Sequence, residues 1–296
     1  MKIKKKNYSS FFSYILLGDN MNNKYKTIGI LLLTGFSFFY TYKVSSFIKD
    51  NDPIMTRINN IEDTLIVSKI DPIINDDEYI TGINGCIVNK EESYSKMKDN
   101  KEFNEDLIVM KEDKVLEDLR KYVVGGNKQN RKVSIILVNY NDEINNFIKN
   151  NNIDINYFID GKTIKDDISN IINLKGKIYN YGRDNTYSNK YILYDNTIIK
   201  TNLDNNPNYC LVTKKDKDVL ELCSKYNMKT IKSDEIKEDI LQTVKLNLEN
   251  GKIFLINSTS LEDIKYSINY ILSKGYKIVY LDELLDESNP CKENIY

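Results

Sequence analysis

Residues 251–285 carry the sequence GKIFLINSTSLEDIKYSINYILSKGYKIVYLDELL, and this stretch decides the fold class of the chain. Its first apolar run, residues 252–256, is continuous, as in strands that are buried on both faces of a parallel sheet. A helical pattern follows over residues 261–274 and ends at Gly275, a favourable residue at a helix C-terminus. Residues 277–280 predict a second strand. The order strand, helix, strand predicts a parallel α/β arrangement.

The same alternation recurs towards the N-terminus. Residues 133–138 (VSIILV) and 154–159 (DINYFI) predict strands. Residues 143–149, 219–226 and 238–249 predict helices, because their apolar residues recur on one helical face. Repeated units of this kind indicate either an α/β barrel or a doubly wound sheet.

Residues 251–285 resemble the end of polysaccharide deacetylases of the NodB-homology type. In that family a strand ending in Leu-Leu-His precedes a long helix, a Lys-Gly-Tyr sequence, a further strand and a Glu-Leu-Leu helix. Residues 155–164 (INYFIDGKTI) resemble the Ala-Thr-Phe-Phe-x-x-Gly segment of the family. The resemblance covers about residues 133–287, and it implies a distorted (β/α) barrel of the polysaccharide deacetylase type.

The resemblance also implies a metal-dependent mechanism that this chain does not retain. Active members bind a divalent metal through one Asp and two His, use a neighbouring Asp as base and use a later His as acid. This chain of 296 residues contains no histidine. The family's Thr-Phe-Asp-Asp-Gly motif falls on residues 137–140 (LVNY), where Asn139 and Tyr140 stand in place of the aspartates, and the nearest carboxylate is Asp142.

The remaining family motifs are altered in the same way. The His-x-x-x-His motif falls near Asn180 and Tyr181, where Tyr181 replaces the first ligand, and residues 185–187 offer no obvious second ligand. The Arg-Pro-Pro-Tyr-Gly motif falls on residues 206–210 (NPNYC), which keep one Pro and Tyr209. The Leu-Leu-His position is occupied by Asn257.

Neutral amides and phenols cannot supply the charge that a divalent ion requires. We therefore expect no cofactor, no metal ligand and no catalytic residue, and we interpret the protein as an inactive polysaccharide deacetylase-like pseudoenzyme. The degenerate site positions are Asn139, Asp142, Asn180, Tyr181, Tyr209 and Asn257. Amides and tyrosine rings also bind sugars, so the predicted ligand is peptidoglycan or another cell-wall glycan, with Asn139, Tyr181, Tyr209 and Asn257 as candidate contacts at one barrel mouth.

Three alternatives remain open from the sequence. The altered positions can be relaxed remnants of a site without function. The protein can be an interaction or scaffold protein of the cell envelope, with a protein partner and the barrel as support. It can also be a divergent carbohydrate deacetylase, a hydrolase of C–N bonds other than peptide bonds, that uses Asp142, Asp184 or Tyr209.

Residues 27–48 predict a transmembrane helix. Residues 27–42 carry no charge, and the apolar run resumes beyond Lys43, whose long side chain can reach the interface. The alternative is a cleaved signal peptide, but no Ala-x-Ala sequence follows the run. Lysines precede the span and Asp50 and Asp52 follow it, so the positive-inside rule predicts a single-pass cell-membrane protein with a cytoplasmic N-terminus and an extracellular C-terminal domain.

The predicted domain order follows from these assignments. Residues 1–26 form a cytoplasmic tail, 27–48 the membrane helix, 49–130 a juxtamembrane stalk and small α+β extension, 131–290 the deacetylase-like domain and 291–296 a tail. Residues 80–89 (ITGINGCIVN) predict a β-hairpin around Asn84-Gly85. The glycines at 125 and 126 predict a linker at the main domain boundary.

Charge and cysteine content exclude further classes. The chain has 42 basic and 43 acidic side chains, so no overall field attracts nucleic acid. The four cysteines contain no CxxC pair, which argues against a structural zinc site. A disulfide between Cys210 and Cys223 is compatible with an extracellular location, but buried free thiols are the favoured interpretation.

Overall fold

The computed structural model describes residues 23–184, 186–203, 205–289 and 291, with side chains from Thr27 onward. The predicted tails, residues 1–26 and 291–296, lie almost entirely outside these ranges. Within the described residues the chain divides into two compact units. The first ends at Thr64 and includes Asn89–Val109, and the second combines Leu65–Val88 with the chain from Met110 onward.

The first unit is helical. Its helices are α1 (Asn23–Asp50), α2 (Pro53–Leu65) and α3 (Lys90–Lys98), followed by a short 3-10 helix, Glu105–Leu107. Asp52 separates α1 from α2 and caps the second helix, because its carboxylate accepts the backbone N–H of Ile54 at 2.8 Å. The segment Thr27–Asp50 is 24 residues long and unburied, and by length and composition it is apolar enough to cross a membrane.

The second unit is an α/β domain. Its helices are α4 (Asp142–Asn150), α5 (Gly161–Asp166), α6 (Ile168–Ile171), α7 (Asn189–Leu203), α8 (Lys217–Lys225), α9 (Ile240–Asn247), α10 (Leu261–Ser273) and α11 (Leu281–Leu284). Its strands are β1 (Ile73–Asn75), β2 (Glu78–Ile80), β3 (Gly85–Val88), β4 (Met110–Asp113), β5 (Tyr122–Gly125), β6 (Lys132–Leu137), β7 (Asn156–Ile159), β8 (Lys177–Asn180), β9 (Tyr209–Val212), β10 (Lys229–Lys232), β11 (Glu235–Ile236), β12 (Ile253–Ile256) and β13 (Lys277–Ile278).

The strands form a distorted (β/α) barrel. One sheet has the order β11-β12-β6-β7-β8, with β13 also pairing with β6, and the other has the order β1-β2-β5-β10-β9. Strand β1 is antiparallel to β2, whereas the other strands of these two sheets are parallel to their neighbours. The register of β12 on β6 places Ile256 beside Leu137. The carboxyl ends of the parallel strands therefore open on one end of the barrel, as the resemblance in sequence implies.

Two layers of buried apolar side chains stabilise the barrel. The outer layer lies between strands and helices and includes Ile135, Ile155 and Ile268, all fully buried. The inner layer fills the barrel and includes Ile136 and Leu255. Because successive strand residues point to opposite faces, the uninterrupted apolar runs of β6 and β12 supply both layers at once.

The structure differs from the prediction for residues 80–89. Ile80 ends β2, and β3 pairs with β4 rather than with β2, so no hairpin forms around Asn84-Gly85. The Asn-Gly pair suggested a turn, but Gly85 serves close packing instead. A Cβ atom at Gly85 would lie 2.6 Å from the carbonyl oxygen of Val67, which only glycine permits.

The glycines at 125 and 126 are also not a linker. Gly125 is the last residue of β5, and the N–H of Gly126 donates to the carbonyl oxygen of Gly251 at 2.8 Å. Strand β5 pairs with β10 inside the α/β domain. The structural division therefore differs from the boundary predicted at residue 130, because strands from the predicted extension complete the second sheet of the barrel.

The cysteines form two disulfides, Cys86–Cys291 and Cys210–Cys223. The favoured interpretation of buried free thiols is therefore wrong, and the alternative pairing of Cys210 with Cys223 is present. Sequence spacing gave no sign of the Cys86–Cys291 pair, because it joins residues 205 positions apart. It fastens the end of the described chain to β3.

Candidate functional site

Two asparagines meet at the carboxyl ends of adjacent strands. Asn139 follows β6 and Asn257 follows β12, and the pairing of these strands brings the two residues together. The side-chain amide Nδ2 of Asn139 donates a hydrogen bond to Oδ1 of Asn257. Two of the predicted site residues therefore lie side by side at the barrel mouth.

The network continues to a carboxylate that the sequence analysis did not single out. Asn257 donates from its own Nδ2 to Oε1 of Glu235, and Lys237 Nζ lies 2.9 Å from the other oxygen of that carboxylate. Both polar groups of Asn257 are thus used. The chain of contacts Asn139, Asn257, Glu235 and Lys237 is a fully connected polar network.

Tyr181 lies above the barrel interior at the same end. Its ring meets the ring of Phe158 edge to face at 6.4 Å between centroids, and only 9% of the residue is exposed. Burial, followed by the negative charge of Glu235, raises the pKa of the Tyr181 phenol above its ordinary value. Tyr181 therefore stays a neutral phenol at any physiological pH.

This donor set does not fit a divalent metal. One oxygen of Glu235 already accepts a hydrogen bond from Asn257, the other forms an ion pair with Lys237, and the phenol of Tyr181 does not ionise readily. Among the described residues, no group of three or more His, Cys, Asp or Glu side chains could hold a metal ion. The charge that generates a metal-bound nucleophile is not available from Asn139, Tyr181 and Asn257.

Asn180 does not reach the barrel mouth. Its side chain is fully buried on the outside of β8, where Nδ2 donates to Oδ1 of Asn196 in α7 at 3.1 Å. Its Oδ1 accepts the N–H of Gly182 at 2.8 Å. Asn180, one of the degenerate site positions, therefore lies away from the mouth that its neighbour Tyr181 reaches, because adjacent residues at the end of a strand point to opposite faces.

The predicted second-ligand region, residues 185–187, has a structural role at Tyr187; Asn185 lies outside the described residues. The Tyr187 hydroxyl donates to the carbonyl oxygen of Asn180 at 2.9 Å and accepts the N–H of Leu211 at 2.8 Å. It thereby joins the end of β8 to β9, two strands from different sheets. Tyr187 is 6% exposed, and burial raises its pKa above the ordinary value.

The other two carboxylates considered for catalysis lie outside the network. Asp142 is exposed in the first turn of α4, where its charge complements the helix N-terminus. Asp184 is exposed and lies 2.5 Å from Lys162 Nζ. Tyr140 points away from the mouth, and its hydroxyl donates to the carboxylate of Asp167 at 2.8 Å.

Tyr209 lies at the opposite end of the barrel. It is the first residue of β9, and its register partner Lys229 is the first residue of β10. Its ring meets that of Tyr179 at 5.3 Å between centroids inside the barrel. The expectation that Tyr209 shares one mouth with Asn257 is therefore not met, because the motif that aligned Tyr209 precedes a strand rather than following one.

Two polar features of the site region have no signal in the sequence pattern. Glu235 belongs to a two-residue strand, β11, which is too short to give a pattern. Arg183 makes a two-point ion pair with the fully buried carboxylate of Asp195, at 3.0 and 2.6 Å. The Arg183 guanidinium also stacks on Tyr191 at 3.9 Å. This cluster fixes the loop that carries Tyr181. No local sequence pattern indicates it, because Arg183 lies in a loop and its partner Asp195 lies in α7, 12 positions later.

Comparison with known proteins agrees with this architecture. No protein-family model and no curated protein sequence matches the chain. Among solved structures, the wild-type BA3943 protein of Bacillus anthracis, a CE4 family pseudoenzyme, is 20% identical, with 81% of this chain and 97% of that chain covered and a TM-score of 0.56. A BA3943 mutant with restored enzymatic activity is 19% identical, with 80% and 99% covered and a TM-score of 0.56.

The match to BA3943 extends beyond residues 133–287, the part of the chain that carries the resemblance in sequence, since it spans about four fifths of the chain. At this level of identity the likeness concerns the fold. The α/β domain of this chain has the polysaccharide deacetylase fold of carbohydrate esterase family 4.

Proposed function

We propose that this protein is a membrane-anchored, extracytoplasmic pseudoenzyme of the polysaccharide deacetylase type that binds cell-wall glycan at the carboxyl end of its barrel. The observation that carries the proposal is the hydrogen-bonded network of Asn139, Asn257 and Glu235 beside Tyr181. This network occupies the end of the fold where (β/α) barrels place their active sites.

The absence of a suitable donor set supports a non-catalytic role. Deacetylation in this family needs a metal to supply a nucleophilic hydroxide, and the residues at the mouth do not fit a metal. The fold neighbour BA3943 is itself a pseudoenzyme, which shows that this fold exists without activity in another protein. We therefore expect the full chain, supplied with zinc, to release no acetate from N-acetylglucosamine oligomers. Acetate release above the rate of a heat-denatured sample would contradict the non-catalytic part of the proposal.

Free hydrogen-bonding capacity at the mouth supports glycan binding. In the described part of the chain, no hydrogen bond reaches Oδ1 of Asn139 or the hydroxyl of Tyr181. Both residues are held in place, Asn139 by Asn257 and Tyr181 by the Phe158 ring. Preorganised amide and phenol groups pay little ordering entropy when they bind sugar hydroxyls.

The binding experiment uses the full chain in detergent and the tetramer of N-acetylglucosamine, with calorimetric titration. Asn139→Ala and Asn257→Ala are each expected to weaken binding about tenfold, since each removes or releases a positioned amide. Tyr181→Phe keeps the ring and tests the hydroxyl alone. The exposed Asn202→Ala in α7 is the matched control. Unchanged affinity in both mouth variants would exclude the barrel mouth as the glycan site.

The proposed location has two supports. Helix α1 contains a segment that can cross a membrane by length and composition, and both disulfides fit an oxidising compartment. We expect to find the protein in the membrane fraction of cells. When the cell wall is removed and the intact cells are treated with protease, we expect the α/β domain to be degraded. Recovery of the chain in the soluble medium after cleavage near residue 50 would instead indicate a signal peptide.

A further inference from the structure

A second cleft lies at the amino ends of the barrel strands, opposite the mouth that holds Asn257. Its volume is about 630 Å³, and all its walls belong to the α/β domain. Tyr209 and Lys229, at the starts of β9 and β10, line one side, and the chain after α11 lines another. Asn84 and the segment after β4 complete it.

The walls of this cleft are fastened to one another. The Cys86–Cys291 disulfide joins β3 to the end of the described chain. The N–H of Asn84 donates to the carbonyl oxygen of Glu287 at 2.7 Å, which adds a backbone link between the same two segments. The cleft is thus preformed, so a ligand does not have to order its walls on binding.

Glu287 gives the strongest sign of a ligand. It is 91% buried, since only 9% of its surface is exposed, and it lines the cleft. Its Oε1 accepts two hydrogen bonds, from the Tyr79 hydroxyl at 2.5 Å and from the N–H of Gly82 at 2.9 Å. Within the described residues, Oε2 has only the Lys229 ammonium at 4.0 Å, which is beyond hydrogen-bond distance.

Oε2 of Glu287 keeps free acceptor capacity towards the cleft, and a cationic donor is the best complement of a carboxylate oxygen. The cleft as a whole favours a cation, because five carboxylates line it against two lysines. One of those lysines, Lys229, is already paired with Glu117 at 2.8 Å. Four asparagine side chains, Asn84, Asn206, Asn208 and Asn227, line the same cleft and offer amide donors and acceptors.

We infer that this amino-end cleft binds a sugar that carries a free primary ammonium group, with the ammonium placed at Oε2 of Glu287 and the hydroxyls among the asparagine amides. An N-acetylated sugar lacks that charge and presents a methyl group to the carboxylates instead. The site is separate from the barrel mouth, so it does not depend on glycan binding there.

The test is calorimetric titration of the full chain, in detergent, with the tetramer of glucosamine. The N-acetylated tetramer, cellotetraose and cadaverine serve as comparison ligands; they lack the charge, the amine and the sugar ring respectively. Because the proposed mouth site also takes the N-acetylated tetramer, the four ligands are compared in the Asn257→Ala chain, in which that site is weakened. We expect tight binding of the glucosamine tetramer and at least about tenfold weaker binding of each comparison ligand.

Charge-neutral variants locate the site. Glu287→Gln keeps an oxygen that accepts from Tyr79 and Gly82, and we expect it to weaken the binding of the glucosamine tetramer about tenfold. Asp286→Asn, at an exposed residue of the same cleft, tests the charge without touching a buried contact and is expected to weaken binding about threefold.

The exposed Glu238→Gln carries the same change of charge away from the cleft and should have no effect, and Asn257→Ala should also have none. Equal affinity for the N-acetylated tetramer or for cadaverine overturns the inference. An unchanged affinity in both cleft variants overturns it as well, and a loss of glucosamine binding in Asn257→Ala would assign that binding to the mouth.

Discussion

The hydroxyl of Tyr187 is expected to carry a large share of the stability of the barrel seam. It joins β8 to β9 by donating to the carbonyl oxygen of Asn180 and accepting the N–H of Leu211, at 2.9 and 2.8 Å. These two strands belong to different sheets. Tyr187→Phe removes this bridge and preserves the ring, so it isolates the hydroxyl.

The expected cost follows from the groups that lose their partner. Leu211 is 1% exposed and Asn180 is fully buried, so water cannot easily replace the hydroxyl at either of them. A buried N–H without an acceptor costs about 1–3 kcal/mol, and the lost bond to a carbonyl adds about 1 kcal/mol. We expect Tyr187→Phe to lower the free energy of unfolding by about 2–4 kcal/mol, a substantial part of a typical domain's stability of about 5–15 kcal/mol.

The assay is urea unfolding of the full chain in detergent, followed by circular dichroism because the chain has no tryptophan. The matched control is Tyr194→Phe, since Tyr194 lies on α7 and is 48% exposed. That control should change stability by less than about 0.5 kcal/mol. A loss below about 0.5 kcal/mol in Tyr187→Phe would show that Tyr187 does not hold the seam.

Three further predictions concern other parts of the α/β domain. Asp195→Asn leaves the Arg183 guanidinium without its buried partner and should lower the free energy of unfolding by about 3 kcal/mol, measured by urea unfolding. The double variant Cys86→Ala with Cys291→Ala opens a loop of 205 residues and should lower the free energy of unfolding by up to about 5 kcal/mol. An unchanged urea midpoint in this variant would show that the disulfide contributes nothing to stability. Burial and the hydrogen bond to Asp167 raise the pKa of Tyr140 from 10.0 to about 12, so its contribution to stability is complete below pH 10.0 and declines as the pH rises to about 12. Thermal unfolding of Tyr140→Phe should therefore show a shallower alkaline decline than the unchanged chain.

Segments with strong local patterns were predicted well. The stretch 251–285 contains β12, α10, β13 and α11 close to the predicted positions, because its helix and strand periods and the cap at Gly275 are local signals. The runs at 133–138 and 154–159 contain β6 and β7 for the same reason. The fold class followed from these segments.

Features that depend on distant partners were not predicted. Strands β5 and β10 are short, and β5 lies between β2 and β10, which is more than 100 positions away along the chain. The pattern at the glycines 125 and 126 therefore indicated a linker, although Gly126 contacts the backbone of Gly251. Which face of β8 carries the Asn180 side chain, and at which end of the barrel Tyr209 lies, likewise depend on where the strands begin and end. These bounds are the least certain part of a sequence-based assignment.

The residues that stand where the family has histidines have two different roles in this structure. Asn257 and Tyr181 stay at the barrel mouth, and Tyr187, in the region aligned with the second ligand, holds two strands together. A histidine at 257 alone would displace the amide that bonds both Asn139 and Glu235, and it would add a single ligand where a divalent ion needs several. The route back to a metal site thus requires the mouth residues to change together.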